Sequence, residues 1–495
     1  MTKKPEPLVE PPVLPHTTSS SILRWDDQTP VFFDMEVFWL CCEVTASGNA
    51  AISPGKIAQY ILSRKHFVTI QTEDGDPSKA QIRVYDSDQN SRSFGLYRTG
   101  GRFWIEAATQ IMIGPELKSS HVSEVVKQIQ RQTFVDQNTV DSLNIELIPV
   151  GNGILNTVTR ELQTYGPEHV FLSKWTAEYD PDASTAPIEE YMRNLFTAED
   201  IPAIQEFVGW CLERSMARKK SMLLVGPGDN GKTYFLNIVR RVMGNESTTT
   251  QGLKLGRFDT AEFYHAYASM CDDLPNLKLS DSGKFKELTG NGRTKHEKKF
   301  KDPFYFISYA KLFFASNYFP QINDNTDAHW DRWLVAKMPH IFVDRIDRNG
   351  KAVVLKEDEQ YKDYSIEDAM VESPAMKSAW LNYMLAGLAR LRQNGQFSSS
   401  LNMDKAKAEW QGNVNSFLIF AKEKLVRNPK GFIIKEELRE AYLTFCEEDD
   451  WIPMKDLKQI KRQLKQIFPK IDDSRPTIGN EDRKLAWKGI SFKVV

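Results

Sequence analysis

The sequence predicts an α/β core, with a small α+β domain before it and a winged-helix domain after it. The core is predicted by an apolar run at 222–225 that leads into a glycine-rich turn and then a helical pattern. The first domain is predicted by apolar and aromatic runs over residues 66–106, separated by Asp, Asn and Gly turns. The last domain is predicted by helical patterns from about residue 410, followed by two strand-like runs at 484–487 and 490–494.

Composition limits the class of protein. The 495 residues suggest about three domains, and 41% hydrophobic with 26% charged residues is typical of a soluble globular protein. The net charge of −2 means that a nucleic-acid partner needs locally clustered Lys and Arg. No apolar run approaches the ~20 residues of a membrane helix, and the N-terminus lacks a signal-peptide core. Five scattered cysteines show no disulfide or zinc spacing, so we expect a cytoplasmic protein without a membrane partner.

Changes of composition divide the chain. The predicted parts are a disordered tail at 1–29, an N-terminal α+β domain at 30–185, a helical collar at 186–220, the core domain at 221–400 and the winged-helix domain at 401–495. In the first domain, strands are predicted at 66–70, 81–85, 94–97 and 103–106, followed by a helix with Val122, Val125, Val126 and Ile129 on one face. Residues 346–365 are polar and are predicted to be a linker.

The glycine-rich turn has the spacing of a P-loop. Its residues are Gly226, Pro227, Gly228, Asp229, Asn230, Gly231, Lys232 and Thr233. Glycines let the backbone adopt positive φ, so that successive N–H groups point at a phosphate, and the following helix adds its positive N-terminal end. We expect Lys232 to reach the β- and γ-phosphates of ATP and Thr233 to bind Mg²⁺. A chance glycine turn is the alternative, which the strand before it and the helix after it disfavour.

Two adjacent acids follow, about forty residues beyond Lys232. Asp272 and Asp273 come directly after the run 267–271. A P-loop ATPase needs one acid to hold Mg²⁺ and one to orient or deprotonate the attacking water, and two acids at a strand end can serve both roles. We expect Asp272 at the metal, while the catalytic base is open between the two. The alternative is a surface Asp pair that begins a loop.

Two further residues are catalytic candidates. Asn317 ends the apolar run 311–316, where an amide would place an uncharged donor near the γ-phosphate; an Asn turn is the alternative. Arg332 is a candidate arginine finger, which would complete a neighbouring subunit's site and stabilise transition-state charge. An Arg on an exposed helix is the alternative.

Two basic clusters are candidates for nucleic-acid contacts. Residues 284–301 contain seven Lys or Arg against two Glu, and flanking apolar runs predict a hairpin. Lys299, Phe300 and Lys301 on this hairpin would hold phosphates and contact a sugar or base. The second cluster, at 455–470, lies on an amphipathic helix that suits a groove of duplex DNA. A solvated charged face is the alternative for both.

Three acid pairs have the spacing of a polymerase metal centre. They are Asp34 with Glu36, Asp74 with Asp76, and Asp180 with Asp182. The region before the β segment is too short for a polymerase fold, so primase activity is not expected. Asp180 is predicted to belong to a structural turn.

Taken together, these motifs resemble the superfamily 3 helicases of the phage and plasmid primase-helicase and poxvirus type. The resemblance covers roughly residues 90–495. It lies in the segments 152–155, 179–183, 228–233, 299–304, 314–317 with Pro320, 327–332 and 486–490. It does not include the primase domain of longer members, so a separate primase is an expected partner.

The resemblance implies an AAA+-type P-loop ATPase core in a ring, usually a homo-hexamer. It also implies 3′-to-5′ movement on single-stranded DNA in the ring channel, driven by ATP and Mg²⁺. By motif position it makes Asp272 and Asp273 the acidic pair, Asn317 the sensor and Arg332 the finger in trans. Lys299, Phe300 and Lys301 match the DNA-contacting hairpin. Many relatives have Glu as the second acid, which leaves the division of roles in the Asp pair open.

The leading hypothesis is an ATP-dependent DNA helicase in the replication of a virus, plasmid or integrated element. The alternative is a nucleotide-switched initiator or loader, which binds duplex or origin DNA without processive unwinding. A GTPase is disfavoured because the sequence has no Asn-Lys-x-Asp motif.

Overall fold

The structure is a computed structural model of the chain. It describes residues 23–46, 48–71, 80–136, 140, 145–252, 259–274, 278–279, 282–297, 304–322, 324, 326–347, 350–448, 453, 457–476 and 484–493. The chain forms two compact units, one of residues 1–143, 164–173 and 302–304 and one of residues 144–163, 174–301 and 305–495. Within the described ranges, no helix combines the length and the apolar character that crossing a bilayer requires.

The first unit has a four-stranded sheet. The strands of this unit are β1 (Cys42–Val44), β2 (Ala50–Ile52), β3 (Phe67–Gln71), β4 (Gln81–Tyr85), β5 (Tyr97–Arg98) and β6 (Phe134–Asp136). Its helices are α1 (Met35–Leu40), α2 (Pro54–Arg64), α3 (Gly101–Ile113) and α4 (Ser119–Gln132), with a 3₁₀ turn at Gly114–Glu116. The sheet order is β5-β4-β3-β6, in which β3 pairs antiparallel with β4 and parallel with β6. β1 and β2 form a separate antiparallel pair.

One predicted strand of this unit is a helix. Residues 103–106 lie in α3, which buries Ile105, Ala108, Met112 and Ile113 at helical spacing. The prediction of a strand was wrong because a window of four residues is too short to separate the two periods. The predicted helix after it is confirmed as α4.

The second unit contains the remaining elements. Its strands are β7 (Leu147–Val150), β8 (Gly153–Asn156), β9 (Leu162–Gln163), β10 (Ser221–Val225), β11 (Thr248–Thr249), β12 (Ala268–Cys271), β13 (Lys278–Leu279), β14 (Arg293–His296), β15 (Phe304–Ile307), β16 (Lys311–Ser316), β17 (Gln321–Ile322), β18 (Trp333–Lys337), β19 (Ile341–Val343), β20 (Glu359–Tyr361), β21 (Leu425–Ile434), β22 (Asp472–Ser474) and β23 (Ala486–Phe492). Its helices are α5 (Ala186–Leu195), α6 (Ile201–Trp210), α7 (Lys232–Met243), α8 (Gly283–Leu288), α9 (Asp327–Trp330), α10 (Ile366–Val371), α11 (Pro374–Asn394), α12 (Leu401–Val414), α13 (Ser416–Lys424), α14 (Lys435–Glu448) and α15 (Leu457–Ile467), with 3₁₀ turns at Asn245–Ser247 and Asp259–Phe263.

A five-stranded parallel sheet organises this unit, so the α/β fold class is confirmed. Its order is β11-β12-β16-β10-β18, and every neighbouring pair runs parallel. Every residue of β10, β12 and β16 is buried, as expected for a parallel sheet covered on both faces. The strand before the predicted P-loop, β10, lies between β16 and β18.

The helices α6, before the sheet in sequence, and α11, after it, pack closely where each has a glycine. A Cβ on Gly209 of α6 would lie 2.2 Å from the carbonyl oxygen of Met384, and one on Gly387 of α11 would lie 2.3 Å from that of Gln205. The missing side chains therefore let the two backbones touch. Close by, the buried Glu206 carboxylate accepts a hydrogen bond from Arg390 Nε at 2.7 Å, which joins the same helices.

Replacing Gly387 with Ala should lower the thermal unfolding temperature, because the new methyl group must push the α6 backbone away. Overpacking of this kind costs about 1–3 kcal/mol. Gly412 in α12 is the matched control, since a Cβ there would meet no atom within 4 Å. Gly412→Ala should leave the temperature unchanged or raise it, because Ala is the better helix former. If the two substitutions change the thermal unfolding temperature equally, the close contact between α6 and α11 at Gly387 is contradicted.

The C-terminal part combines three helices with a small sheet. In chain order it has α13, β21, α14, α15, β22 and β23, and the antiparallel sheet has the order β21-β23-β22. The predicted hairpin of 484–487 and 490–494 is wrong, because residues 486–492 form one strand. Gly489, with a φ of 102°, lies inside that strand rather than at a turn between two.

Candidate nucleotide-binding site

The carboxyl ends of three adjacent core strands meet at one cavity. β10 leads into the P-loop, β12 into Asp272 and Asp273, and β16 into Asn317. Open parallel sheets bind ligands at this edge. The cavity has a volume of about 610 Å³. It is lined by Tyr191, Asn194, Leu195, Gly228, Asp229, Asn230, Gly231, Lys232, Thr233, Tyr234, Asp272, Asp273, Ser316, Asn317, Phe342, Gln360, Tyr361, Lys362, Asp363, Tyr364 and Ile366.

The predicted P-loop, residues 226–233, has glycine where the backbone requires it. Gly231 has a φ of 82° and directly precedes α7, whose first residue is Lys232. A Cβ on Gly226 would lie 1.9 Å from the side-chain nitrogen of Asn230. A Cβ on Gly228 would meet no atom within 4 Å, so the loop backbone is open there. The loop thus places an accessible backbone and the N-terminal end of α7 at the cavity.

The loop itself holds the Lys232 ammonium. Nζ donates to the carbonyl oxygens of Gly226 at 2.8 Å and Pro227 at 3.1 Å, and to Oδ1 of Asn230 at 2.7 Å. Three hydrogen bonds satisfy the three N–H donors of this buried ammonium. A phosphate that binds Lys232 must replace some of them.

The acidic pair lies within electrostatic range of Lys232. Burial lowers the pKa of Lys232, and the Asp272 and Asp273 carboxylates oppose this shift. Asp272 is half-buried and Asp273 is exposed. Asp273 has a φ of 59°, a left-handed conformation that costs energy for most residues and that Asp and Asn tolerate best. Asn317 is exposed at the same edge, so the structure brings all three predicted polar residues to the P-loop.

Arg332 lies at the opposite edge of the sheet. Its carbonyl oxygen accepts a 2.7 Å hydrogen bond from the backbone N–H of Ser221, the first residue of β10. The five residues of β10 place about 16 Å of strand between that point and the P-loop. The guanidinium donates from Nε to Oγ1 of Thr289 at 3.0 Å and from Nη1 to the carbonyl oxygen of Ala328. Arg332 is therefore separated from its own chain's cavity.

Much of the cavity wall comes from segments that sequence analysis did not identify. One part of the wall comes from the predicted collar and another from the predicted linker at 346–365. The linker prediction is wrong near its end, because residues 359–361 form the strand β20. The sequence Tyr361-Lys362-Asp363-Tyr364 adds two aromatic residues to that polar stretch, but it has no period that would have predicted the wall. The wall residues missed are Tyr191, Asn194 and Leu195 of α5, Phe342 of β19, and Gln360, Tyr361, Lys362, Asp363 and Tyr364.

The predicted DNA-contacting residues Lys299, Phe300 and Lys301 lie outside the described residues. The strands on either side, β14 and β15, pair with each other. In the second basic cluster, α15 buries Ile460 and Leu464.

The basic residues of α15 differ in their surroundings. Lys458, Arg462 and Lys465 are exposed. Lys461 pairs with Asp473, which Lys435 also contacts at 2.5 Å. Lys461 therefore has a structural partner within its own domain.

Two of the three acid pairs have structural roles where they are described. Oδ1 of Asp34 accepts from the N–H of Glu36 at 2.8 Å and caps α1. Oδ1 of Asp180 accepts from the N–H of Asp182 at 3.0 Å, as expected for a turn. Asp74 and Asp76 lie outside the described residues.

Two family models match parts of the chain. Residues 80–213 match a family described as D5 N terminal like, and residues 224–332 match a family of unknown function, DUF5906. The first match supports a phage primase-helicase-like protein. The second runs from β10 to Arg332 and so spans every predicted catalytic residue. No curated protein matches the chain.

The solved structures that match include two of the NrS-1 C-terminal region. The A form apo structure has a TM-score of 0.44 at 10% identity and covers 88% of this chain and 100% of that one. Another apo structure of the same region has a TM-score of 0.43 at 11% identity, with coverage of 87% and 98%. Both scores are below 0.5, so this likeness does not establish a common fold.

Proposed function

We propose that the chain is an ATP-dependent DNA helicase of a replicating virus, plasmid or integrated element, with an AAA+-type core. The observation that carries the proposal is the meeting of Lys232, the Asp pair and Asn317 at one cavity, with Arg332 at the opposite edge of the sheet. In a ring, one subunit's Arg332 edge would face the cavity of the next. Ring formation as a homo-hexamer and 3′-to-5′ movement are part of the proposal.

The cavity residues fit ATP and Mg²⁺. Gly228 leaves the loop backbone open, Thr233 is exposed at the first turn of α7, and a buried lysine lies beside two acids. Backbone N–H groups of the loop and Lys232 would hold the phosphates, while Thr233 and Asp272 would hold the metal. Bound Mg²⁺ supplies charge neutralisation and orientation of the phosphates. The chain's own side chains would orient the attacking water and stabilise the transition state.

Each polar residue has a separate task in this proposal. One carboxylate of the Asp pair would orient or deprotonate the attacking water, and Asn317 would donate a hydrogen bond to water or γ-phosphate. The guanidinium of a neighbour's Arg332 would stabilise charge as the phosphate bond breaks. Lys299, Phe300 and Lys301 would contact single-stranded DNA in the channel. The α13–α15 helices with the β21-β23-β22 sheet would form the winged helix for duplex or origin DNA, and a separate primase would supply primers.

The Asp pair provides the test of the hydrolysis step. Asp272→Asn and Asp273→Asn should keep the backbone, because Asn also tolerates the left-handed conformation at position 273. We expect at least one variant to bind ATP while losing hydrolysis and strand displacement on a tailed duplex. The measurements are ATP binding, ATP turnover with and without single-stranded DNA, and displacement of a labelled strand. Normal turnover in both variants would place the acidic pair elsewhere.

The same assays separate the helicase from an initiator or loader. A helicase hydrolyses ATP faster with single-stranded DNA and displaces strands continuously. DNA-dependent nucleotide binding without sustained displacement by the parent protein would favour the initiator or loader instead.

A further inference from the structure

A second lysine lines the cavity and does not belong to the P-loop motif. Nζ of Lys362 lies 3.0 Å from Oδ1 of Asp229 and 3.6 Å from Oδ2 of Asp344. The Lys362 side chain is only 23% exposed, whereas that of Asp229 is 65% exposed. The ammonium therefore lies inside the cavity wall, one hydrogen bond away from the P-loop.

The ion pair is not needed to hold this segment against the P-loop. The N–H of Phe342 donates to the carbonyl oxygen of Asp229 at 2.6 Å, and the N–H of Lys362 donates to that of Val343 at 2.9 Å. These backbone bonds already join β19, the residue after β20 and the loop. An exposed carboxylate contributes little to stability through an ion pair. The lysine side chain can therefore change partner at small cost.

A phosphate is a stronger partner than Asp229 for an ammonium in this position. Its oxygens carry more charge and would be held at the same loop, where Lys232 and the helix N-terminus already favour anions. The hydrogen bond to Asp229 raises the pKa of Lys362, so the ammonium stays charged throughout the neutral range. Asp344 also lies near the Lys362 ammonium, and its Oδ1 accepts a hydrogen bond from the hydroxyl of Tyr364.

We propose, on the basis of the nucleotide-binding function proposed above, that Lys362 binds the polyphosphate of a bound nucleotide and that Asp229 competes for it. Lys232 and Lys362 then hold the phosphates from two sides, one from the loop and one from the β20 segment. Asp229 weakens nucleotide binding in this arrangement, because its carboxylate must give up Lys362.

Binding of ATP, ADP and adenosine to the full chain, measured by calorimetry, tests the proposal. Lys362→Met keeps most of the apolar stem and removes the charge, and it should weaken ATP binding about tenfold or more, as for a lost charged hydrogen bond. The loss should be smaller for ADP and absent for adenosine. Asp229→Asn should tighten ATP binding several-fold, and that gain should disappear when Lys362→Met is also present.

Lys356→Met is the matched control. Lys356 lies in the same segment and also pairs with a carboxylate, Glu359, at 3.1 Å, but its side chain is 79% exposed and it does not line the cavity. Its replacement should leave all three affinities unchanged. A Lys362→Met protein that binds ATP as tightly as the parent overturns the proposal, as does an equal loss for ATP and adenosine, which indicates a structural role. Normal ATP binding by Lys232→Ala would instead overturn the proposed function, so the two failures are distinguishable.

Discussion

Replacing Lys232 with Ala is expected to lower ATP hydrolysis by about 10³-fold or more, the scale of losing a cation that stabilises the transferred phosphate. Lys232 is the first residue of α7 and is buried at the cavity, where it donates to a loop carbonyl and lies within electrostatic range of the acidic pair. No other lysine of the P-loop motif can take its place. The measurement is steady-state phosphate release at saturating ATP.

A control is needed for the effect of removing the Lys232 side chain on the structure of the loop. Lys232 donates to Gly226, Pro227 and Asn230, so its removal frees three acceptors. Lys232→Met retains more of the buried stem, and it should lose activity to the same extent while its unfolding temperature stays closer to that of the parent. Near-normal turnover in either variant would contradict the P-loop assignment.

The parts of the site that could be predicted from sequence depend on neighbouring residues. The strand, glycine-rich turn and helix around residues 222–236 are such a part, because their three signals all lie within about fifteen residues. Their role as a P-loop stays a prediction. The sequence of β12, Ala-Ser-Met-Cys, is less apolar than is typical of a buried strand, and the structure supplies the reason. The Ser269 hydroxyl donates to the carbonyl oxygen of Gln251 at 3.0 Å, so a polar residue is buried without an unpaired group.

The parts that could not be predicted depend on distant pairings. The cavity wall at Phe342 and Lys362 exists because β19 pairs with β20 and because Phe342 bonds to Asp229, more than one hundred residues earlier. A polar stretch with few apolar positions gives no period that would reveal this. The position of Arg332 likewise follows from the sheet order, in which β18 lies beside β10. The sequence identifies Arg332 as a candidate, but only the parallel pairing of β10 with β18 shows that it lies away from the predicted P-loop of its own chain.

Arg332→Ala is expected to lose basal hydrolysis while still binding ATP. The reason is that the predicted P-loop of the same chain stays intact, whereas the proposed contribution of Arg332 to a neighbour's transition state is lost. An arginine finger contributes about 10³–10⁵ in turnover. ATP binding by calorimetry and turnover by phosphate release measure the two effects separately. Loss of binding together with turnover would indicate that the Thr289 and Ala328 contacts of Arg332 serve the fold.

Mixing the two inactive proteins gives the sharpest test of the opposite-edge geometry. In a ring of Arg332→Ala and Lys232→Ala subunits, some interfaces join an intact P-loop of the first to an intact Arg332 of the second. Those interfaces should hydrolyse ATP, so the turnover of the mixture should exceed that of either variant alone. Different tags on the two variants show that both are present in one ring. The control is each variant mixed with a differently tagged copy of the same variant, which should stay inactive. If mixed rings are as inactive as either parent, Arg332 does not act on a neighbour, and its bond to Thr289 makes a structural role the remaining explanation.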